Sequence, residues 1–185
     1  MYKLFDELGN EISHHDLQDK AVWCKTGATI EEIFVEKYGE GLGIIINPAK
    51  VTDPFAPDLI ILRDNRLADL KVQNTPFFKS QDLYSTDPTY AVVFNQKDRD
   101  RYNELYPEIA IFFWVVWQAV RLEMYGKTYL AEQLDGVWYT DFKDLNAYCI
   151  KRPLHYYQQR HSDTKGNARC SYVLDILDPV FTRVI

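Results

Sequence analysis

The run from Ile109 to Trp117, Ile-Ala-Ile-Phe-Phe-Trp-Val-Val-Trp, leaves this chain few ways to fold. It is unbroken by charge, rich in β-branched and aromatic side chains, and far too short for the roughly 20 residues a membrane-crossing helix needs. A central strand over Glu108–Trp117 is therefore expected, with Trp114 and Trp117 in the core. Around it the punctuation is regular. Thr29 reads as a helix N-cap, with Glu32 three residues on completing a capping box, and the helix runs from Ile30 to Tyr38 before Gly39 or Gly41. Gly43–Asn47 reads as a short strand ended by Pro48. Asp58–Leu62 and Leu67–Gln73 are strands closed into a hairpin by Arg63-Asp64-Asn65-Arg66. Leu4–Asp6 and Glu11–Ile12 flank a turn at Gly9-Asn10. Ala91–Asn95 is a further strand, Gln96–Leu105 a polar helix, Asp141–Ile150 a helix with Thr140 as its cap, and Tyr172–Leu177 a last strand. This order predicts one α/β domain over residues 1–185 built on a mixed sheet flanked by helices.

The hairpin carries chemistry. Alternation along Leu67–Gln73 puts Asp69, Lys71 and Gln73 on one face and Ala68, Leu70 and Val72 on the other, toward the core. Asp58 opens the partner strand, so its carboxylate approaches that of Asp69. Two carboxylates and an ammonium in one cleft call for compensation, and a hard divalent cation such as Mg²⁺, with Mn²⁺ as substitute, suits oxygen ligands of this kind. Such an ion polarises a phosphoryl oxygen and acidifies a bound water, with Lys71 placed to orient that water or to stabilise the charge that develops on the phosphate.

Pro57-Asp58, ten intervening residues and Asp69-Leu70-Lys71 resemble the signature of the PD-(D/E)XK nuclease superfamily. The resemblance implies a restriction-endonuclease-like core of a helix, a three-stranded meander with the motif, a crossover helix and a further strand. It covers residues 25–75 best, within a catalytic core of about 25–120. It also implies an acidic contribution from the preceding helix. Glu31, Glu32 and Glu36 are the candidates: Glu31 lies within the arc of Ile30, Ile33, Phe34 and Tyr38, whereas Glu32 and Glu36 lie opposite it. Glu31 is the choice, and Gln73 fills a place some members give to glutamine. The implied activity is a Mg²⁺-dependent endodeoxyribonuclease of restriction, homing, repair or phage type, leaving a 5′-phosphate and a 3′-hydroxyl. Asp58, Asp69 and Glu31 hold the metal, and Lys71 assists the nucleophile. DNA is the expected partner, with RNA as the alternative. Many such enzymes dimerise to cut both strands, but no feature here speaks for a homodimer.

Charge complicates the picture. The chain carries −6 overall, which disfavours a nucleic-acid partner. The distribution is uneven, because within 151–170 Lys151, Arg152, Arg160, Lys165 and Arg169 face only Asp163, a local +4 that leaves −10 elsewhere. With His155, His161, Tyr156, Tyr157 and Tyr172 interleaved, 151–185 reads as a basic, aromatic segment. Lys151, Arg152, Arg160, His161, Lys165 and Arg169 are its candidate nucleic-acid contacts. Lys97-Asp98-Arg99-Asp100-Arg101 alternates in sign and reads as a surface helix. His14-His15-Asp16 reads as exposed rather than ligating. Cys24, Cys149 and Cys170 show no paired spacing, and with no apolar leader at the N-terminus the expectation is reduced thiols in a cytoplasmic protein without a membrane segment. No Gly-rich phosphate loop, zinc spacing or nucleophile elbow occurs. Two other readings stand beside the enzyme. One is a non-catalytic nucleic-acid- or protein-binding module on the same fold. The other is an unrelated α/β interaction protein, which the acidic charge and the 15% aromatic content favour.

Overall fold

The computed structural model describes residues 2–12, 29–157 and 170–185. Its centre is a six-stranded mixed sheet. In chain order the strands are β3 (Ile44–Ile46), β4 (Leu59–Ile61), β5 (Arg66–Gln73), β7 (Ala110–Val116), β10 (Asp135–Asp141) and β13 (Thr182–Arg183). They lie side by side in the order β13-β10-β7-β5-β4-β3. Only β5 and β7 run parallel, with Ala68 beside Ala110 and Gln73 beside Val115. That pairing needs a crossover, supplied by α2 (Ser80–Tyr84), β6 (Ala91–Asn95) and α3 (Gln96–Leu105).

The long apolar run becomes β7, and its lack of polar alternation has a plain cause: both faces are buried. Ile111, Phe113 and Val115 enter one core with Val92 and Phe94 of β6, Tyr102 of α3, and Phe142, Leu145 and Cys149 of α4 (Phe142–Ile150). Ala110, Phe112 and Trp114 enter the other, beneath α1 (Ile30–Leu42). Phe34 anchors α1 there, its ring centroid 5.4 Å from that of Trp114 and 6.2 Å from that of Phe112. Trp114 and Trp117 are both core residues, as expected. Burial pushes the Cys149 thiol up to about 12, which suits an inert core cysteine.

Two smaller sheets complete the fold. β1 (Tyr2–Phe5), β2 (Glu11–Ile12), β8 (Arg121–Met124) and β9 (Lys127–Leu130) form one, in the order β2-β1-β8-β9. β6 joins β12 (Cys170–Asp175) and β11 (Leu154–Tyr156) in the other. The expected mixed α/β architecture is therefore present. Several expectations need adjustment. The first helix continues past Gly39 and Gly41 to Leu42 and closes on Gly43, whose φ of 63° is the left-handed cap conformation. The cap of α4 is Asp141 rather than Thr140. Tyr172 is a core residue, not a base platform. Among the described residues no helix is long and apolar enough to cross a membrane.

Gly39 shows how tightly α1 meets the sheet. A Cβ built there would lie 2.9 Å from Val35 Cγ1 and 3.0 Å from the carbonyl oxygen of Ile44, a backbone atom with little room to retreat. Alanine would gain up to about 1 kcal/mol of helix propensity, against about 1–3 kcal/mol for overpacking. Gly39→Ala is expected to lower stability by about 1–2 kcal/mol in urea unfolding, and a stabilised variant would contradict this packing.

Candidate active site

The β4–β5 ladder pairs Leu59 with Ala68, Ile60 with Leu67 and Ile61 with Arg66. One step further along the same register, Asp58 faces Asp69. The approach to this point is held by Asn47, which is buried. Its side-chain amide donates to the Pro57 carbonyl at 2.9 Å, its backbone N–H to the Asp58 carbonyl at 2.9 Å, and its Oδ1 accepts from Ala49 N–H at 3.0 Å. The last bond caps a 3₁₀ turn, Pro48–Val51, that carries Lys50. Asn47 thus fixes Asp58 and Lys50 relative to one another.

Asp58 accepts from the Leu70 backbone N–H at 3.1 Å through Oδ2 and is ion-paired to Lys50 through Oδ1. Lys50 Nζ also lies 3.4 Å from Glu31 Oε1. Glu32 is occupied in the capping box with Thr29, and Glu36 is exposed, so of the three candidate helix acids Glu31 is the one tied to the site. Burial, and then the charge of Asp69, push the Asp58 carboxyl above its ordinary range, opposed by Lys50 and the Leu70 N–H.

Asp69 is only 3% exposed. Tyr102 Oη donates to its Oδ2 at 2.5 Å, Lys71 Nζ lies 2.8 Å from the same oxygen, and Arg101 Nη2 lies 3.8 Å from Oδ1. Lys71 also donates to Asp98 at 2.6 Å. Burial alone would lower the Lys71 pKa, but Asp69, Tyr102 and Asp98 outweigh it and hold the ammonium charged. Burial raises the Tyr102 pKa, so its phenol stays protonated and donates.

Two sequence expectations change here. The face bearing Asp69, Lys71 and Gln73 is not an open cleft: α3 packs over Asp69 and Lys71, and β6 is tied to Gln73. Nor is the alternating-charge helix a purely solvated one. Asp98, Arg101 and Tyr102 share one face of α3 by their three- and four-residue spacing, and that face turns inward onto Asp69 and Lys71. Lys50, Asp98, Arg101 and Tyr102 thus join the candidate site, although none of them was named for it from the sequence. The i, i+3, i+4 pattern of Asp98, Arg101 and Tyr102 was the only signal that marked any of them.

Gln73 does not join the carboxylates. Its amide donates to the Val93 carbonyl at 2.8 Å and accepts from the Val93 N–H at 3.0 Å, tying the free edge of β6 to β5. Gln73→Ala strands both groups and is expected to lower stability by about 1–3 kcal/mol in thermal unfolding. Loss of activity without loss of stability would instead give Gln73 a role in the chemistry.

Of the proposed nucleic-acid contacts, Lys151 is exposed. Arg152 is spent internally, donating to the Val173 carbonyl at 3.1 Å and Thr86 Oγ1 at 2.8 Å. Arg160, His161, Lys165 and Arg169 lie outside the described residues, as do His14, His15 and Cys24. Tyr156 and Tyr157 are exposed beside His155, whose Nδ1 lies 2.8 Å from Tyr84 Oη.

The fit of a divalent ion turns on the donors. Among the described residues, no three His, Cys, Asp or Glu side chains are arranged to hold a metal. The carboxylates are balanced instead by Lys50, Lys71 and Arg101. Asp58 and Asp69 nevertheless form a facing pair of hard oxygen donors, and Mg²⁺ commonly takes one or two carboxylates and completes its octahedron with water and substrate phosphate. As hard oxygen donors the pair suits such an ion, which would have to compete with Lys50 for Asp58 and with Lys71, Arg101 and Tyr102 for Asp69. No protein-family model, curated protein or solved structure matches this chain.

Proposed function

We propose that the chain is a Mg²⁺-dependent endonuclease of the PD-(D/E)XK type acting on DNA, with its site at the β4–β5 hairpin. The observation that carries this reading is the register that sets Asp58 across from Asp69, with Lys71 bound to Asp69 on the same strand. An ion bound between the two carboxylates would supply Lewis acidity toward the phosphate and a water acidic enough to attack it. The residues of the chain do the rest. Asp58 and Asp69 fix the position of the ion, each held by a second partner, the Leu70 N–H for Asp58 and the Tyr102 hydroxyl for Asp69. Lys71, charged and locked between Asp69 and Asp98, holds the Asp69 carboxylate in place and adds positive potential where charge develops on the phosphoryl oxygens. Glu31 is tied to the pair through Lys50, the place from which it would contribute to the ion directly or through water.

One observation favours a second reading. Three cations of the protein already neutralise the acids, as in a structural ion network, which suits a non-catalytic binding module on the same fold. Purified protein incubated with plasmid, short DNA duplexes and RNA in Mg²⁺, Mn²⁺ or chelator separates the two. Metal-dependent cutting supports the enzyme. Binding without cutting supports the module, and neither activity leaves a protein-interaction role.

A further inference from the structure

We propose that Lys50 is a cation with two partners, seated on Asp58 while the site lacks an ion and transferred to a substrate phosphate once an ion takes Asp58. This rests on the nuclease reading above and adds a substrate-contacting residue to it. Of the two lysines at the site, Lys71 is unsuited to meeting substrate. It is held by Asp69 at 2.8 Å and Asp98 at 2.6 Å beneath α3, so freeing it would take the nearest cation from two partly or fully buried acids. Lys50 is placed differently. Its side chain is 24% exposed against 18% for Lys71, it arrives on the Pro48–Val51 turn rather than from within the sheet, and its partners are Asp58 and Glu31.

Asp58 Oδ2 is already taken by the Leu70 N–H, which leaves Oδ1, the oxygen Lys50 holds, as the one for which an ion and the ammonium compete. The displaced ammonium remains on the 3₁₀ turn capped by Asn47, on a long stem whose head reaches several ångströms without backbone movement. A phosphate drawn to the ion brings negative charge into that space, and a flexible lysine is well suited to meet it as a point charge. The single residue therefore has two opposed effects: it weakens ion binding in the free protein and strengthens phosphate binding in the loaded one.

The test compares wild type with Lys50→Gln, Lys50→Arg and Asp58→Asn. Mn²⁺ affinity is read from the electron paramagnetic resonance of free Mn²⁺. Binding of a short labelled duplex is measured against salt in Ca²⁺. Lys50→Gln is expected to bind Mn²⁺ about tenfold more tightly, within the ordinary range of coupling between two ligands. Its log-log salt slope should fall by about 0.9, the loss of one phosphate contact, while Lys50→Arg retains the wild-type slope. Because Lys50→Gln leaves Asp58 without its cation, its Tm should drop and should recover with Mn²⁺ by more than that of wild type. If either the Mn²⁺ affinity or the slope is unchanged in Lys50→Gln while Asp58→Asn abolishes Mn²⁺ binding, the inference is overturned and the metal site stands. If wild type and Lys50→Gln both take up no Mn²⁺, the nuclease reading falls, and the inference with it.

Discussion

Asp69→Ala is expected to lower the unfolding free energy by about 3–5 kcal/mol, because it removes the buried anion shared by Lys71 and Arg101 and strands the buried Tyr102 hydroxyl. Asp69 is 3% exposed and stands at the meeting point of Lys71, Arg101 and the Tyr102 hydroxyl. Its removal leaves Lys71 with Asp98 alone and the Tyr102 hydroxyl without an acceptor. For a chain of this size the loss corresponds to a drop in Tm of roughly 6–20 °C. Asp69→Asn keeps the volume and an acceptor oxygen for Tyr102, so its cost should be smaller. The double variant Asp69→Asn/Lys71→Met, which removes both charges of the pair, should be more stable than additive losses allow. Denaturant unfolding of wild type, the two Asp69 variants, Lys71→Met and the double variant measures all of this. A loss below about 1 kcal/mol in Asp69→Ala would mean that the network contributes little and that Asp69 is not held as described.

The second large effect is on chemistry. Asp58→Asn is expected to reduce metal-dependent cleavage at least ~100-fold, since groups that merely orient a metal ligand are already worth ~10–100-fold and a direct ligand is worth no less. The fold should survive. The asparagine Oδ1 can still accept from the Leu70 N–H, and the removal of one of two facing carboxylates relieves the repulsion that raises the Asp58 pKa. Lys50 loses its closest anion but keeps Glu31 at 3.4 Å and access to water. Normal unfolding with lost cleavage is therefore the signature of a chemical role for Asp58. Equal loss of both would assign it to structure alone.

How much of this was legible in the sequence follows the range of the forces involved. Local signals were read well. The capping box of Thr29 and Glu32 is present, the polar helix runs from Gln96 to Leu105 as its composition suggests, and the hairpin places Asp58 opposite Asp69 because period-two alternation and a tight turn fix the register. The hairpin β8–β9 and the strand β10 were not read. Arg121–Leu130 alternates only weakly, and β10 mixes Asp135, Gly136 and Thr140 with Val137, Trp138 and Tyr139, so neither stands out by periodicity. Their status comes from long-range pairing, with β1 for β8 and with β7 for β10.

The site divides in the same way. Asp58, Asp69 and Lys71 share one hairpin and were found from it. Lys50 reaches Asp58 from a loop, and Asp98, Arg101 and Tyr102 arrive on a helix about 30 residues beyond β5. Charge alternation on that helix resembles a solvated surface, and only packing against β5 makes three of its residues internal. Sequence reasoning took two acids and one amine to require a metal, whereas the fold supplies Lys50 and Arg101 as further compensation. A metal at this site must therefore compete for Asp58 rather than fill a deficit.

The most direct test is the rate of cutting of a supercoiled plasmid by the wild-type protein as Mg²⁺ is removed with chelator and then restored. The account predicts that nicked and linear products form with Mg²⁺, cease in chelator and return on adding excess Mg²⁺. Cutting that persists without divalent ions, or a plasmid left intact at every Mg²⁺ and Mn²⁺ concentration, would contradict it.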